Sequence, residues 1–276
     1  MMGITKIPAS WRLPAKAFGL ATVIAVARLI LDLVGAEGLS MSPLVATLIT
    51  ADVFILSLLL TGVMSDYKES EKIPGDLSVS IGVIADECLV LWRHKQAQPA
   101  RDCLHFLLDF TTSLKRWFHR TERSVTMMEK VSGMSDHFFA MEPFTQPNFI
   151  VRLKQEQAAI SRMLVRVHTI RETSFVSSAY TMARVATVLI LAGLLFLRIE
   201  PWYESVFLVG VIGLFLSYLL LLIPDLDNPF DYSETGQPSG QEISLKPLDD
   251  LQERISGALA GGAVEMPGGG TALSGG

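Results

Sequence analysis

Four stretches of the chain are apolar over the length of a bilayer, and they come in two pairs. At 1.5 Å rise per residue, about 20 apolar residues in a helix cross a hydrocarbon core of roughly 30 Å. Residues 17–36 are uncharged except for Arg28 and Asp32, and residues 43–64 are uncharged except for Asp52. The short connection 37–42 makes these two spans a hairpin. A second hairpin begins near Phe175, runs apolar through Val185 to Leu197 and returns through Ser205 to Pro224 without one charge.

Between the hairpins the apolar positions recur at three and four residue steps, the signature of amphipathic helices. Leu77, Ile81, Ile84, Cys88 and Leu91 form one such stripe after the Pro74-Gly75 pair, which reads as a break. Cys103, Leu107, Phe110, Leu114 and Phe118 form another. Pro143 and Pro147 interrupt the chain, and Ile150, Leu153, Ile160, Leu164, Val167 and Ile170 resume the pattern in a helix that can run into the third span. These stripes must be covered by one another or by neighbouring subunits, so an oligomer is expected. Beyond the last span, Pro247 to Ser256 reads as one short helix, followed by a Gly-rich end.

The expected organisation is therefore all-α, with four transmembrane helices in two hairpins and a long cytoplasmic helical insert. Residues 1–16 form the N-terminus, 17–64 hairpin 1, 65–174 the cytoplasmic helical domain and 175–224 hairpin 2. Residues 225–256 form an acidic cytoplasmic segment and 257–276 a disordered tail. Lys and Arg set the orientation: three precede the first span and fifteen lie in 65–180, which places both termini and the insert in the cytoplasm. Reading the first span instead as a cleaved signal peptide conflicts with Arg28 and Asp32 inside what should be a purely apolar run.

Composition sharpens this picture. Half of the 276 residues are hydrophobic and only 18% are charged, against about 25% in an average soluble domain. The net charge of −5 argues against nonspecific nucleic-acid binding. It resides in the tail, where residues 225–276 carry nine acids against Lys246 and Arg254. Cys88 and Cys103 are too few for a disulfide framework, and the five histidines recur at no metal-binding interval. No nucleophile, base or phosphate-cradling Gly loop stands at a meaningful spacing, so no enzyme is expected.

The second span separates its polar residues by face. At 100° per residue Thr47, Thr50, Phe54, Ser57, Thr61 and Ser65 fall in a sector of about 80°, with Asp52 nearly opposite. Such a stripe can line a narrow aqueous path with Phe54 as its constriction, or it can let helices pack closely. Asp52 calls for a partner inside the membrane. Arg28, at a similar depth on the preceding span, offers one, while Asp32 also lies one turn from Arg28. An Arg28–Asp52 pair would either brace the hairpin or couple ions and protons.

Two juxtamembrane segments stand out. One follows the second span, from Ser65-Asp66-Tyr67-Lys68-Glu69 to Ile73-Pro74-Gly75-Asp76. The other follows the fourth, from Pro224-Asp225-Leu226-Asp227 through Asn228-Pro229-Phe230 to Asp231-Tyr232-Ser233-Glu234. The latter is either a solvated acidic helix exit or a turn that offers oxygen ligands to a hard cation. In this order and topology the sequence resembles the bestrophins and bestrophin-like membrane proteins. The resemblance implies a homopentameric ion channel whose second spans line the pore, which turns Thr47, Thr50, Phe54, Ser57 and Thr61 towards the axis. It also implies calcium at Asp231 and Glu234, although only these two acids follow the Asn-Pro-Phe and no continuous run does. The tryptophan pair of the family after the second span is absent. The expected function is a channel for small anions such as chloride. The alternative is a noncatalytic anchor or sensor that recruits partners through its cytoplasmic helices.

Overall fold

The structure, a computed structural model, describes residues 9–35, 38–40, 42–172, 177–227, 229–230 and 243–261. Eight α-helices carry almost all of them: α1 (Ala9–Val34), α2 (Pro43–Lys95), α3 (Gln98–Phe118), α4 (Ser124–Met141), α5 (Pro147–Glu172), α6 (Ser177–Leu195), α7 (Trp202–Asp227) and α8 (Lys246–Gly261). A single 3-10 turn, Glu142–Phe144, follows α4. Two two-residue strands, β1 (Leu39–Ser40) and β2 (Leu197–Arg198), pair in parallel with Leu39 opposite Leu197 and Ser40 opposite Arg198. The all-α class expected from periodicity is the one observed. The chain divides into two units, residues 1–70 with 170–243 and residues 71–169 with 244–276, and α2 contributes to both.

The first unit holds four helices long and apolar enough to cross a membrane: α1, the first part of α2, α6 and α7. Leu56 and Val63 of α2, Ala183 of α6 and Leu216, Ile223 and Leu226 of α7 form its buried core. On α7, Gly213 brings the backbone against Ile24 of α1, where a Cβ would lie 3.3 Å from the Ile24 side chain. The helices thus approach at van der Waals distance, the packing that holds apolar helices together where no hydrophobic drive separates them from lipid. Gly35, at φ +69°, takes the left-handed position that ends α1, and its N–H donates to the Asp32 carbonyl at 3.2 Å. Large apolar side chains such as Phe18, Leu33, Leu44, Leu189 and Phe215 remain exposed on this unit. That surface is one for hydrocarbon rather than water.

The second unit is an ordinary helical core. All ten residues of the two stripes, from Leu77 to Leu91 and from Cys103 to Phe118, are buried there. Leu153, Ile160, Leu164 and Val167 of α5 are buried as well. Lys130 of α4 meets Asp109 of α3 at 2.9 Å, and Arg152 of α5 meets Glu87 of α2 at 2.8 Å.

Two expectations about breaks are corrected. Pro74-Gly75 does not end a helix, because α2 runs through it to Lys95. Proline inside a helix costs about 3 kcal/mol or more, but burying a large apolar side chain recovers about 1.5–3 kcal/mol. Ile73 and Leu77 on either side are both buried, so packing outweighs the lost backbone bond. The short helix expected over Pro247–Ser256 is longer, and α8 extends to Gly261 into what reads as tail. Leu248, Leu251, Ile255 and Leu259 make one apolar face of α8, all buried, which carries the helix past Gly257. The remainder of the expected disordered tail lies outside the described residues, as do residues 173–176, where α5 would join α6.

Candidate functional site

The polar stripe of the second span is an exposed face of α2. Thr47, Thr50, Phe54, Ser57 and Thr61 are all exposed, Phe54 at 62%, while Asp52 and Leu56 on the other side are buried. Each hydroxyl donates to the carbonyl one turn back: Thr47 to Pro43 at 2.8 Å, Thr50 to Ala46 at 2.8 Å, Ser57 to Val53 at 2.7 Å and Thr61 to Ser57 at 2.8 Å. Bonded this way, the hydroxyls need no outside partner and can border lipid, protein or a narrow water column. Turning a proton towards a bound anion costs each residue its helix bond, about 1 kcal/mol. Phe54 projects from the middle of the stripe as its bulkiest group.

Arg28 and Asp52 do not meet. Asp52, 2% exposed, accepts from the Thr187 hydroxyl of α6 at 3.0 Å and 3.2 Å to its two oxygens. Arg28 is fully buried, and its guanidinium serves three elements at once. Nη2 contacts Asp32 one turn along α1 at 2.6 Å, Nε donates to Ser205 Oγ of α7 at 2.7 Å, and Nη1 donates to the Leu195 carbonyl at the end of α6 at 2.7 Å. The expected intramembrane pair is therefore replaced by an intrahelical pair plus an α2–α6 hydrogen bond. The physical reason is proximity: Asp32 lies on the same face of α1 as Arg28, whereas reaching Asp52 would require α2 to turn that face towards α1. Sequence spacing signalled Asp32 directly. Nothing local signalled Thr187, Ser205 or the Leu195 carbonyl, since each lies more than 130 residues from its partner.

Asp231 and Glu234 lie outside the described residues, and so does Asn228. Among the described residues no group of three or more His, Cys, Asp or Glu could hold a metal ion. Phe230 is buried, with the Arg171 guanidinium 5.7 Å from its ring centre. In the second unit Cys88 and Cys103 are buried free thiols, and Cys88 Sγ lies 3.8 Å from the Met141 sulfur. Hydrogen bonding with Cys103, burial and the nearby Glu87 carboxylate together push the Cys88 thiol well above its ordinary range.

No family model matches the chain, and no curated protein matches it in sequence. Solved structures do match its fold. A bacterial bestrophin homologue from Klebsiella pneumoniae superposes with a TM-score of 0.70 at 11% identity, covering 90% of this chain and 97% of that one. A single-residue variant of that homologue gives 0.72 at 11% identity over the same shares. A crystal structure described as a membrane protein gives 0.71 at 11% identity, over 91% of this chain and 98% of that one. The chain thus has the fold of the bacterial bestrophin homologues, and the resemblance read from its juxtamembrane segments holds at the level of the fold. Four long apolar helices within this fold define an integral membrane protein.

Proposed function

We propose that this chain is one subunit of a bestrophin-like ion channel, a passive pore formed by several copies with α2 around the axis. The observation that carries the reading is the exposed hydroxyl face of α2, with Phe54 at its centre, on an apolar helix of a bestrophin-like fold. Five copies, as the family resemblance implies, would set five such faces around one path. Phe54 rings would narrow it and oppose wetting, and the Thr and Ser hydroxyls on either side would replace water around a partly dehydrated ion. Small anions such as chloride are the proposed cargo: a hydroxyl that releases its helix carbonyl becomes a donor to an anion.

In this reading the two hairpins cross the bilayer and the second unit is cytoplasmic together with both termini, as the basic residues of 65–180 favour. Calcium at Asp231 and Glu234 remains part of the proposal as a modulator, with no step in conduction assigned to it. The protein works without bond chemistry: what it supplies is a desolvated path and the dipoles that line it.

The test is conductance of purified protein in planar bilayers, wild type against Phe54→Ala, in chloride salts with and without calcium. Wild type is expected to conduct, and Phe54→Ala to raise unitary conductance or open probability at least twofold. A conducting wild type with an unaltered Phe54→Ala variant would remove Phe54 from the pore. A wild type that conducts under no condition would favour an anchor that recruits partners through the second unit.

A further inference from the structure

The face of α2 that carries the hydroxyls also sorts the charges of that helix. The part of α2 in the first unit, residues 43–70, holds four charged residues: Asp52, Asp66, Lys68 and Glu69. At 100° per residue and with Phe54 at zero, the stripe of Thr47, Thr50, Ser57, Thr61 and Ser65 spans about −60° to +20°. Lys68 falls at about −40°, inside that sector and in line with Thr50. Glu69 falls at about +60°, Asp66 at about +120° and Asp52 at about +160°, all outside it. Of the four, the single positive charge is the one that shares the stripe.

The helix keeps this register as far as Lys68. Asp52, Leu56, Val63 and Ser70 are all buried, and by the same count they lie about 160–180° from Phe54, on the opposite side. Ser65 and Lys68 are exposed, like the stripe residues before them. Pro74, the proline inside α2, comes only after Ser70, so it does not rotate one part of this face against another.

Depth decides what the charge can do. Lys68 stands about 37 Å along the helix from Pro43, past the roughly 30 Å of a hydrocarbon core, so its ammonium is in reach of water. It also stands about 21 Å beyond Phe54, about twice the Debye length of roughly 10 Å at 0.1 M salt. A charge there acts on the ions that enter the path, not on the constriction. The hydroxyls leave the sign of those ions open, since each offers a proton to an anion or lone pairs to a cation. A full charge on the same face settles it.

We propose that Lys68 sets the charge selectivity of the pore. Several copies around the axis form a ring of ammonium groups at the end of the span away from Pro43. The ring concentrates small anions at that mouth and repels cations, as rings of Lys or Arg do in anion pores. This role rests on the α2 pore reading and adds to it the group that selects anions.

The experiment measures reversal potentials of the purified protein in planar bilayers under a sodium chloride gradient, which gives the chloride-to-sodium permeability ratio. Wild type is expected to favour chloride, Lys68→Gln to lower the ratio at least threefold, and Lys68→Glu to lower it further. Open probability stays unchanged in both, in contrast to Phe54→Ala. Glu69→Gln, one residue on but off the stripe, leaves the ratio near wild type. A second arm separates charge from folding: Lys68→Cys is folded first and then modified at its exposed position, Cys88 and Cys103 being buried. A positively charged methanethiosulfonate restores the wild-type ratio, and a negatively charged one depresses it below that of the unmodified variant. The gap between wild type and Lys68→Gln narrows from about 0.1 M to about 1 M salt, as the Debye length falls from about 10 Å to about 3 Å. Conducting Lys68 variants with an unchanged ratio, or a wild type that prefers sodium, overturn the role of Lys68 and leave the α2 pore standing. A ratio that moves as much in Glu69→Gln overturns the assignment to Lys68. A wild type that carries no current removes the pore and the ring together.

Discussion

Arg28 illustrates how a membrane-buried charge is kept: it is surrounded by an acid, a hydroxyl and a carbonyl supplied by three helices. Removing one member of such a set leaves the others desolvated, a loss of about 3–5 kcal/mol in buried pairs. Arg28→Met should therefore lower the thermal midpoint of the detergent-solubilised protein sharply, and Arg28→Met combined with Asp32→Leu should recover part of it. Asp52 is different in kind. Among the described residues its hydrogen bond comes from Thr187, an interaction that an amide can also accept. Asp52→Asn is expected to leave assembly and conductance near wild type, and lost transport with intact assembly would restore an ion-coupling role. In the second unit, the raised Cys88 thiol leaves less thiolate at a given pH, and burial denies access to it. Neither cysteine should react with iodoacetamide at pH 8 in the folded protein, and both should react once it is denatured, as read by mass spectrometry.

At the scale of elements, α2 and α8 differ most from a local reading. α2 continues through Pro74 because buried residues on both sides hold it in register. α8 is an amphipathic helix docked in its unit by Leu248, Leu251, Ile255 and Leu259. Polar contacts fix its position: Ser78 donates to the Pro247 carbonyl at 2.9 Å, Lys115 meets Asp249 at 2.8 Å and Gln252 donates to Thr112 at 3.2 Å. The Lys115–Asp249 pair is partly exposed, Asp249 more than Lys115, and adds little, so the apolar face dominates. Leu251→Ala should cost about 2–4 kcal/mol, the range for deleting a buried leucine, whereas Lys115→Ala should cost under about 1 kcal/mol. Chemical denaturation of the two variants distinguishes them.

For the molecule as a whole, the proposed pore sets the exposed α2 face against those of neighbouring copies. An oligomer that closes a ring satisfies it, and a five-fold class average in lipid nanodiscs is the expected image. A stable monomer, or a dimer without a central path, would remove the pore. The bestrophin-like fold was legible in the order of spans and the insert, as residues 43–64 and 205–224 attest, although identity to the matching structures is only 11%. Fold survives such divergence because helix length and apolar pattern tolerate substitution, while specific residues do not.

Local patterning determined the helices, the apolar spans and the polar face of α2, because these depend on periods of three to four residues within one segment. The buried stripes from Leu77 to Phe118 were legible for the same reason. Which groups meet across the chain was not. The partners of Arg28 and Asp52, the passage of α2 through Pro74 and the docking of α8 arise from contacts between segments far apart in sequence. Tertiary packing alone decided them, since a side chain bonds whatever the fold sets within about 3 Å of it.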